Sequence, residues 1–256
     1  MGNLILATPI LSDAATITAG TETAAGPVTN LQKMQPTDLW ESATTAAYCE
    51  IDLGAVTAFN LVALLATNAV ATDTWRIRTA DTQGNLTAAP THDSTATALT
   101  GISPDGSAWY WVAAGLSNRW VRIDMATAAN PFMAGRLYVA NALITTRNYK
   151  WGAQDGFDDD SAIDATDGAA LIPNQGANRA VFDFTMTLEL EAERHAMREV
   201  NRLRGASKDV LVIRDPSAST NRGDHIYYGL LQRRRTAVHT AFNHHELAYQ
   251  LTSLSA

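Results

Sequence analysis

The sequence has a single cysteine in 256 residues, Cys49. That excludes an intramolecular disulfide framework and any cysteine-built zinc site, and it fits maturation in a reducing compartment. Basic residues are also few: 19 Lys and Arg stand against 26 Asp and Glu, a formal net charge of −7. This is the wrong sign for gripping phosphate, so nucleic-acid binding is not expected. Long apolar runs are missing as well. Leu4-Ile5-Leu6 is broken by Thr8-Pro9 with no basic segment before it, so neither a leader peptide nor a membrane span is expected of a chain made in the cytoplasm. No Gly-x-Gly-x-x-Gly and no Walker-type loop occurs, and no cofactor is expected.

What is present is enough for a core: 46% apolar residues, with six Trp, seven Tyr and six Phe. Ala and Thr dominate residues 1–146, and Thr favours strands. Residues 1–146 hold six basic and 11 acidic groups, residues 147–256 hold 13 and 15, so the second part is the more densely charged. Between Arg147 and Gln175 lie Gly152, Gly156, Gly168, Pro173 and six Asp with little periodicity, which predicts a linker or long excursion. The expected domains are therefore 1–146 and 147–256.

In the first part, strands are predicted at Leu4–Ile10, Tyr48–Leu53, Asn60–Leu65, Thr74–Thr79, Trp109–Val112, Trp120–Met125 and Gly135–Leu143. Trp75-Arg76-Ile77-Arg78-Thr79 and Trp120-Val121-Arg122-Ile123-Asp124 alternate with period two, one face for a core and one for water. Many short strands without intervening helices predict an antiparallel β-sandwich. Trp40, then Tyr48-Cys49-Glu50-Ile51-Asp52-Leu53-Gly54, Trp75 to Arg78, Trp120 to Ile123 and Gly135-Arg136-Leu137-Tyr138-Val139 follow one another as in discoidin domains, the jelly-roll modules of coagulation-factor C type. The resemblance covers roughly residues 25 to 145. Ile51 and Leu53 would point inward, Gly54 would turn the chain, and Trp40 would plug one end of the sandwich. Members of that family often bind glycans or lipids through loops at one end.

The second part contains one helix, predicted over Leu188 to Arg204, with Ala192, Ala196, Val200 and Leu203 as its apolar stripe. Glu189, Glu191 and Glu193 at its start and Arg198, Arg202 and Arg204 at its end suit the helix dipole, and Gly205 ends it. Strands are predicted at Ala180–Thr187, Asp209–Arg214, His225–Leu231 and Glu246–Thr252, with Thr236–His239 as a possible further one. The fold class is thus mainly β: an N-terminal antiparallel jelly-roll sandwich and a small C-terminal α+β module with one main helix. The C-terminal order, with Val210 to Asp215, Tyr227 to Leu231 and Tyr249 to Thr252, resembles the tube-like hub module of tailed-bacteriophage distal tail and baseplate proteins. That resemblance implies a structural virion component at the tail tip. It would form a ring of six or three subunits with tail-tube and baseplate hub partners, and scaffold without catalysis.

Candidate site residues form three groups. Trp109-Tyr110-Trp111 can present an aromatic face to a host-surface glycan; in a strand, Trp109 and Trp111 share a face and would line the core, leaving Tyr110 outward. Arg233-Arg234-Arg235 reads as a solvated hairpin end or as an intersubunit contact meeting Asp158, Asp159 and Asp160; a smaller share of that reading goes to anionic ligands. The aspartates around Asp155–Asp167 offer oxygen ligands but lack an EF-hand pattern, and read as a solvated acidic loop. His244-His245-Glu246 lacks helical metal-ligand spacing, Cys49 reads as a small buried hydrophobe, and no acid pair or triad can be assigned. The main expectation is the tail-tip scaffold; the competing one is a carbohydrate-binding adhesin module that uses the sandwich.

Overall fold

The computed structural model describes residues 2–99, 102, 106–127, 131–165, 171–219, 222–233, 238–241 and 244–254. For 164–165, 171–173, 233, 238–241 and 244 only the backbone is described. The chain forms two compact units, Met1–Ile144 with Val212–Ile226, and Thr145–Leu211 with Tyr227–Ala256. The second unit is therefore discontinuous, unlike the single break expected at 146. Polar ties explain why 212–226 joins the first unit. The Gly2 N–H donates to Asp215 Oδ1 at 2.8 Å, and the Arg222 guanidinium lies over the Trp109 ring at 4.2 Å.

The first unit runs β1 (Ile5–Ala7), α1 (Ile10–Ala14), β2 (Thr16–Ala19), β3 (Trp40–Glu41), β4 (Ala46–Leu65), β5 (Thr74–Ala80), α2 (Asn85–Ala88), β6 (His92–Asp93), β7 (Thr97–Ala98), β8 (Ala108–Ala126), β9 (Met133–Ala134), β10 (Arg136–Ala140) and β11 (Leu143–Ile144). Its main sheet is antiparallel in the order β10-β4-β8-β5-β6, with β2 on β4 and β7 on β5. The two pairs of strands expected at 48–53 with 60–65 and at 109–112 with 120–125 are in fact two long strands. Each bends instead of ending: Gly54 at φ +80° takes its N–H to Asp52 Oδ1 at 2.8 Å, Gly115 sits at φ +73°, and register shifts occur at Asp52/Thr57 and Phe59/Leu61. Such bulges turn one continuous ladder into the two layers of a sandwich.

One half of the ladder turns Cys49, Ile51, Val121, Ile123, Met125, Trp75 and Ile77 into the core; the other turns in Phe59, Val62, Leu64, Leu137 and Val139. Trp40 is fully buried in the sandwich core and meets Phe132 edge to face at 5.5 Å. The outer face of the first half carries a ladder of paired charges. Arg122 donates to Glu50 and Asp124 at 2.7 and 2.8 Å and covers the Tyr48 ring at 3.6 Å, Arg78 reaches Asp124 at 2.6 Å, and Arg119 grips Asp52 with two bonds of 2.7 Å.

The second unit contains β12 (Gln154–Asp159), β13 (Ala162–Ala165), β14 (Leu171–Asn174), β15 (Asn178–Leu188), α3 (Glu191–Arg204), β17 (Ile226–Arg233), β18 (Val238–Ala241) and β19 (His244–Ser253), with β16 (Asp209–Ile213) crossing between units in sequence. Its sheet runs β17-β19-β15-β12, β18 pairs with β19, and β13 with β14 forms a separate hairpin. The segment read as a linker is thus largely strand. Every residue of β12 is exposed, so no in-and-out alternation marks it. One sheet face, with Phe182, Phe184, Met186, Tyr249 and Leu251, is buried, and Phe182 stacks on Phe184 and Tyr227 at 4.9 and 4.5 Å.

The helix begins at Glu191, and its buried face is not the expected alanine stripe. Ala192 and Leu203 are exposed, while Glu193, Met197 and Arg204 are buried. Polar anchoring sets this rotation. Glu193 accepts the N–H groups of Glu189 and Leu190 at 3.1 and 3.2 Å and that of Thr146, and Asn201 donates to the Tyr249 hydroxyl at 2.8 Å.

Candidate functional site

The aromatic triplet lies in β8, where it pairs with β4: Trp109 opposite Ala63, Tyr110 opposite Val62 and Trp111 opposite Leu61. Val62 belongs to the sandwich core, so Tyr110 turns toward that core and the two tryptophans turn to the other face, the reverse of the expected alternation. The bulges in the long strands shift the parity. Trp109 is not thereby exposed. Arg222 caps its ring and donates to its carbonyl at 2.5 Å, its indole N–H donates to the Pro216 carbonyl at 3.5 Å, and the residue is 1% exposed. A flat three-ring platform is therefore absent, and Trp109 is removed as a ligand contact. Trp111 is half-buried.

Tyr110 instead reaches the rim of the sandwich, packed against the core on one side and half-exposed on the other. Its hydroxyl lies 2.9 Å from His92 Nε2, with the two rings 5.7 Å apart and tilted by 43°. His92 comes from the two-residue strand β6, placed by its pairing with Thr79, and the next residue, Asp93, pairs with Arg78. Asp93 accepts from Arg76 Nε at 2.8 Å and from Arg76 Nη2, and from the Thr95 N–H at 2.8 Å. The Arg76 hydrogen bonds hold the Asp93 carboxyl down at about 2, against the opposing effect of burial. Burial raises the Tyr110 phenol, helped by the charge of Asp93. The rim thus presents a phenol hydrogen-bonded to an imidazole, while the next residue of the same short strand, Asp93, turns to the charged outer face and pairs with Arg76. The phenol and imidazole are directional donors and acceptors beside an aromatic edge, groups that hydrogen-bond hydroxyl-rich ligands well. His92 and Asp93 escape sequence reading, because a two-residue strand leaves no periodic signal; the one cue is a His-Asp pair at a strand-to-turn edge.

The other candidates do not converge on a site. Asp158 and Asp159 lie in exposed β12, and Asp160 pairs within the chain with Arg179 at 2.7 Å. Arg234 and Arg235 lie outside the described residues, as does the side chain of Arg233 at the end of β17. His245 contacts Arg194, and Glu246 pairs with Lys150, so this motif serves the second unit's own packing. Among the described residues no group of His, Cys, Asp and Glu is arranged to hold a metal ion. Cys49 is completely buried, and that burial, reinforced by Asp124, pushes its thiol up to about 12, which leaves no thiolate for nucleophilic work at neutral pH. Among the described residues no helix is long and apolar enough to cross a membrane.

No protein-family model matches the chain, and no curated protein matches it. Solved structures similar in part include chitosan-binding module 1 of a chitosanase/glucanase from Paenibacillus sp. IK-5, 18% identical with a TM-score of 0.39, covering 49% of this chain and 94% of that one. A fucose binding module of Streptococcus pneumoniae is 14% identical with a TM-score of 0.40, covering 50% and 92%. The family 32 CBM from C. perfringens NanJ, in complex with galactose, is 12% identical with a TM-score of 0.41, covering 53% and 98%. Each is similar to about half of this chain, and the sandwich architecture stands on its own strand pairing.

Proposed function

We propose that the protein is a non-catalytic binding component whose sandwich unit takes a glycan at the rim formed by Tyr110 and His92. The observation that carries this reading is the half-exposed Tyr110 hydroxyl held 2.9 Å from His92. Tyr110 and His92 already position each other, so little side-chain entropy remains to be lost when hydroxyls replace water there. The test is a glycan array probed with the full chain and with Tyr110→Phe and His92→Gln. The chitosan-binding, fucose binding and galactose-bound modules named above set the glycans to include. The expected result is binding by the parent and a loss of about tenfold or more in each variant at unchanged melting temperature. Equal binding by parent and both variants, or none by any, overturns it.

A second reading concerns assembly. β12 ends the second unit's sheet with all six residues exposed, Phe157 is 74% exposed within it, and Ile163 in the following hairpin is 68% exposed. An open strand edge with apolar side chains is a template for pairing with another chain. This supports the scaffold reading, in which copies join into a ring of three or six at a phage tail tip with tube and hub proteins as neighbours. Light scattering on the purified chain tests it: a closed ring supports it, and a monomer at high concentration with β12 fully open to amide exchange contradicts it.

A further inference from the structure

We propose that the face of the second unit's sheet opposite Phe182 and Phe184 is a groove for a neutral oligosaccharide chain, separate from the sandwich rim and not dependent on it. The strand register builds this face. Gln154 of β12 pairs with Asp183 of β15, Asp183 with Gln250 of β19, and Gln250 with Gln232 of β17. Three amides and a carboxylate therefore stand in one row across four strands, on the side opposite the buried Phe182 and Phe184. At about 4.8 Å between strands the row is roughly 14 Å long. Amides that both donate and accept suit hydroxyl groups better than they suit an ion.

Two adjoining hollows of about 480 and 460 Å3 run along this face and share Gln154 and Asp183. Together they are long enough for several sugar rings in line. Trp151 stands at the rim of the first, 102% exposed. The main chain beside it is tied to β15 on one side, where the Lys150 N–H donates to the Thr185 carbonyl at 2.8 Å, and turns at Gly152, φ +94°, on the other. A large indole exposed to water without packing on its own protein is a stacking surface for sugar C–H faces. The nearby cation is already neutralised, since Lys150 pairs with Glu246.

Gly156 adds an independent observation. It lies in mid-strand opposite Val181, where glycine costs stability, yet it has no left-handed φ and a Cβ there would meet nothing within 4 Å. Neither backbone geometry nor crowding requires glycine at this position. What its missing side chain does is leave the floor of the second hollow flat.

The experiment is calorimetric titration of the full chain with soluble chito-, malto- and galacto-oligosaccharides of two to six units, repeated with Trp151→Ala, Gly156→Val and Tyr110→Phe. The expected result is affinity that grows with chain length. Trp151→Ala and Gly156→Val each lower it by about tenfold or more, and Tyr110→Phe leaves the length-dependent part intact. Trp151 and Gly156 touch no core, so both variants keep the parent's melting temperature or exceed it. No binding by the parent, or binding unchanged in both groove variants, overturns the proposal. So does a parent that self-associates and becomes monomeric on Trp151→Ala, because the face is then a contact between copies. Loss only with Tyr110→Phe assigns all binding to the rim and overturns the groove alone.

Discussion

The two units handle polar surface in opposite ways. On the sandwich, the water-facing side of the ladder is crossed by charges that satisfy one another: Arg122 with Glu50 and Asp124, Arg78 with Asp124, Arg119 with Asp52, Arg76 with Asp93. The charges of that face are spent on one another, and the proposed ligand site lies instead at the rim, where Tyr110 and His92 are half-buried. The second unit buries one sheet face in stacked aromatics, while the other face carries amides and the outer edge of β12 pairs with nothing among the described residues. A small unit with one helix cannot cover both faces of its sheet. The difference teaches that composition alone does not reveal function here, because both surfaces are polar and only their internal pairing separates them.

Perturbing each unit separately sharpens this comparison. The largest effect is expected for Trp40→Ala, which leaves a cavity in the sandwich core and should cost about 3–5 kcal/mol in denaturant unfolding. The same experiment with Trp151→Ala should move stability by no more than about 0.5 kcal/mol, since that ring packs on nothing.

Next in size is Glu193→Ala, expected to cost about 1–2 kcal/mol by orphaning the N–H groups of Glu189, Leu190 and Thr146. This carboxyl also sets an acid dependence. Burial raises its pKa, but the hydrogen bonds led by the Thr146 N–H outweigh that and leave it below the ordinary value. A lowered folded pKa means that the stabilisation is complete above the unfolded value, about 4.3, and is lost as pH falls through the folded one. Far-UV circular dichroism between pH 5 and 2 should show the parent losing stability more steeply than Glu193→Gln. A smaller effect, about 1 kcal/mol, is expected for Gly54→Ala, where φ is +80° but a Cβ would find open space. Thermal melting measures it, and an unchanged or raised melting temperature would show that the bend in β4 does not depend on glycine.

The strands with one buried face were readable in the sequence, because Trp75 to Thr79 and Trp120 to Asp124 alternate around a core. Their continuity was not: glycines at 54 and 115 signal an end, whereas here they mark bends inside 20- and 19-residue strands. β12 was hidden for the opposite reason, having no buried residue to set a period. The helix was found but its facing was misjudged, since apolar spacing weighs Ala192 and Leu203 while hydrogen bonds through Glu193 and Asn201 decide which side docks. Tyr110 was picked out from the sequence, although its surroundings were not. Its partner His92 comes from 18 residues away in the chain, on a two-residue strand that carries no pattern of its own.

The central claim is that the sandwich rim binds glycan through Tyr110 and His92. Its most direct test is nuclear magnetic resonance of the His92 ring in the full chain during titration with the saccharide that scores highest on the array. The account predicts that the His92 signals shift and saturate in the parent and barely move in Tyr110→Phe. Saccharide binding that leaves the His92 resonances in place would contradict it.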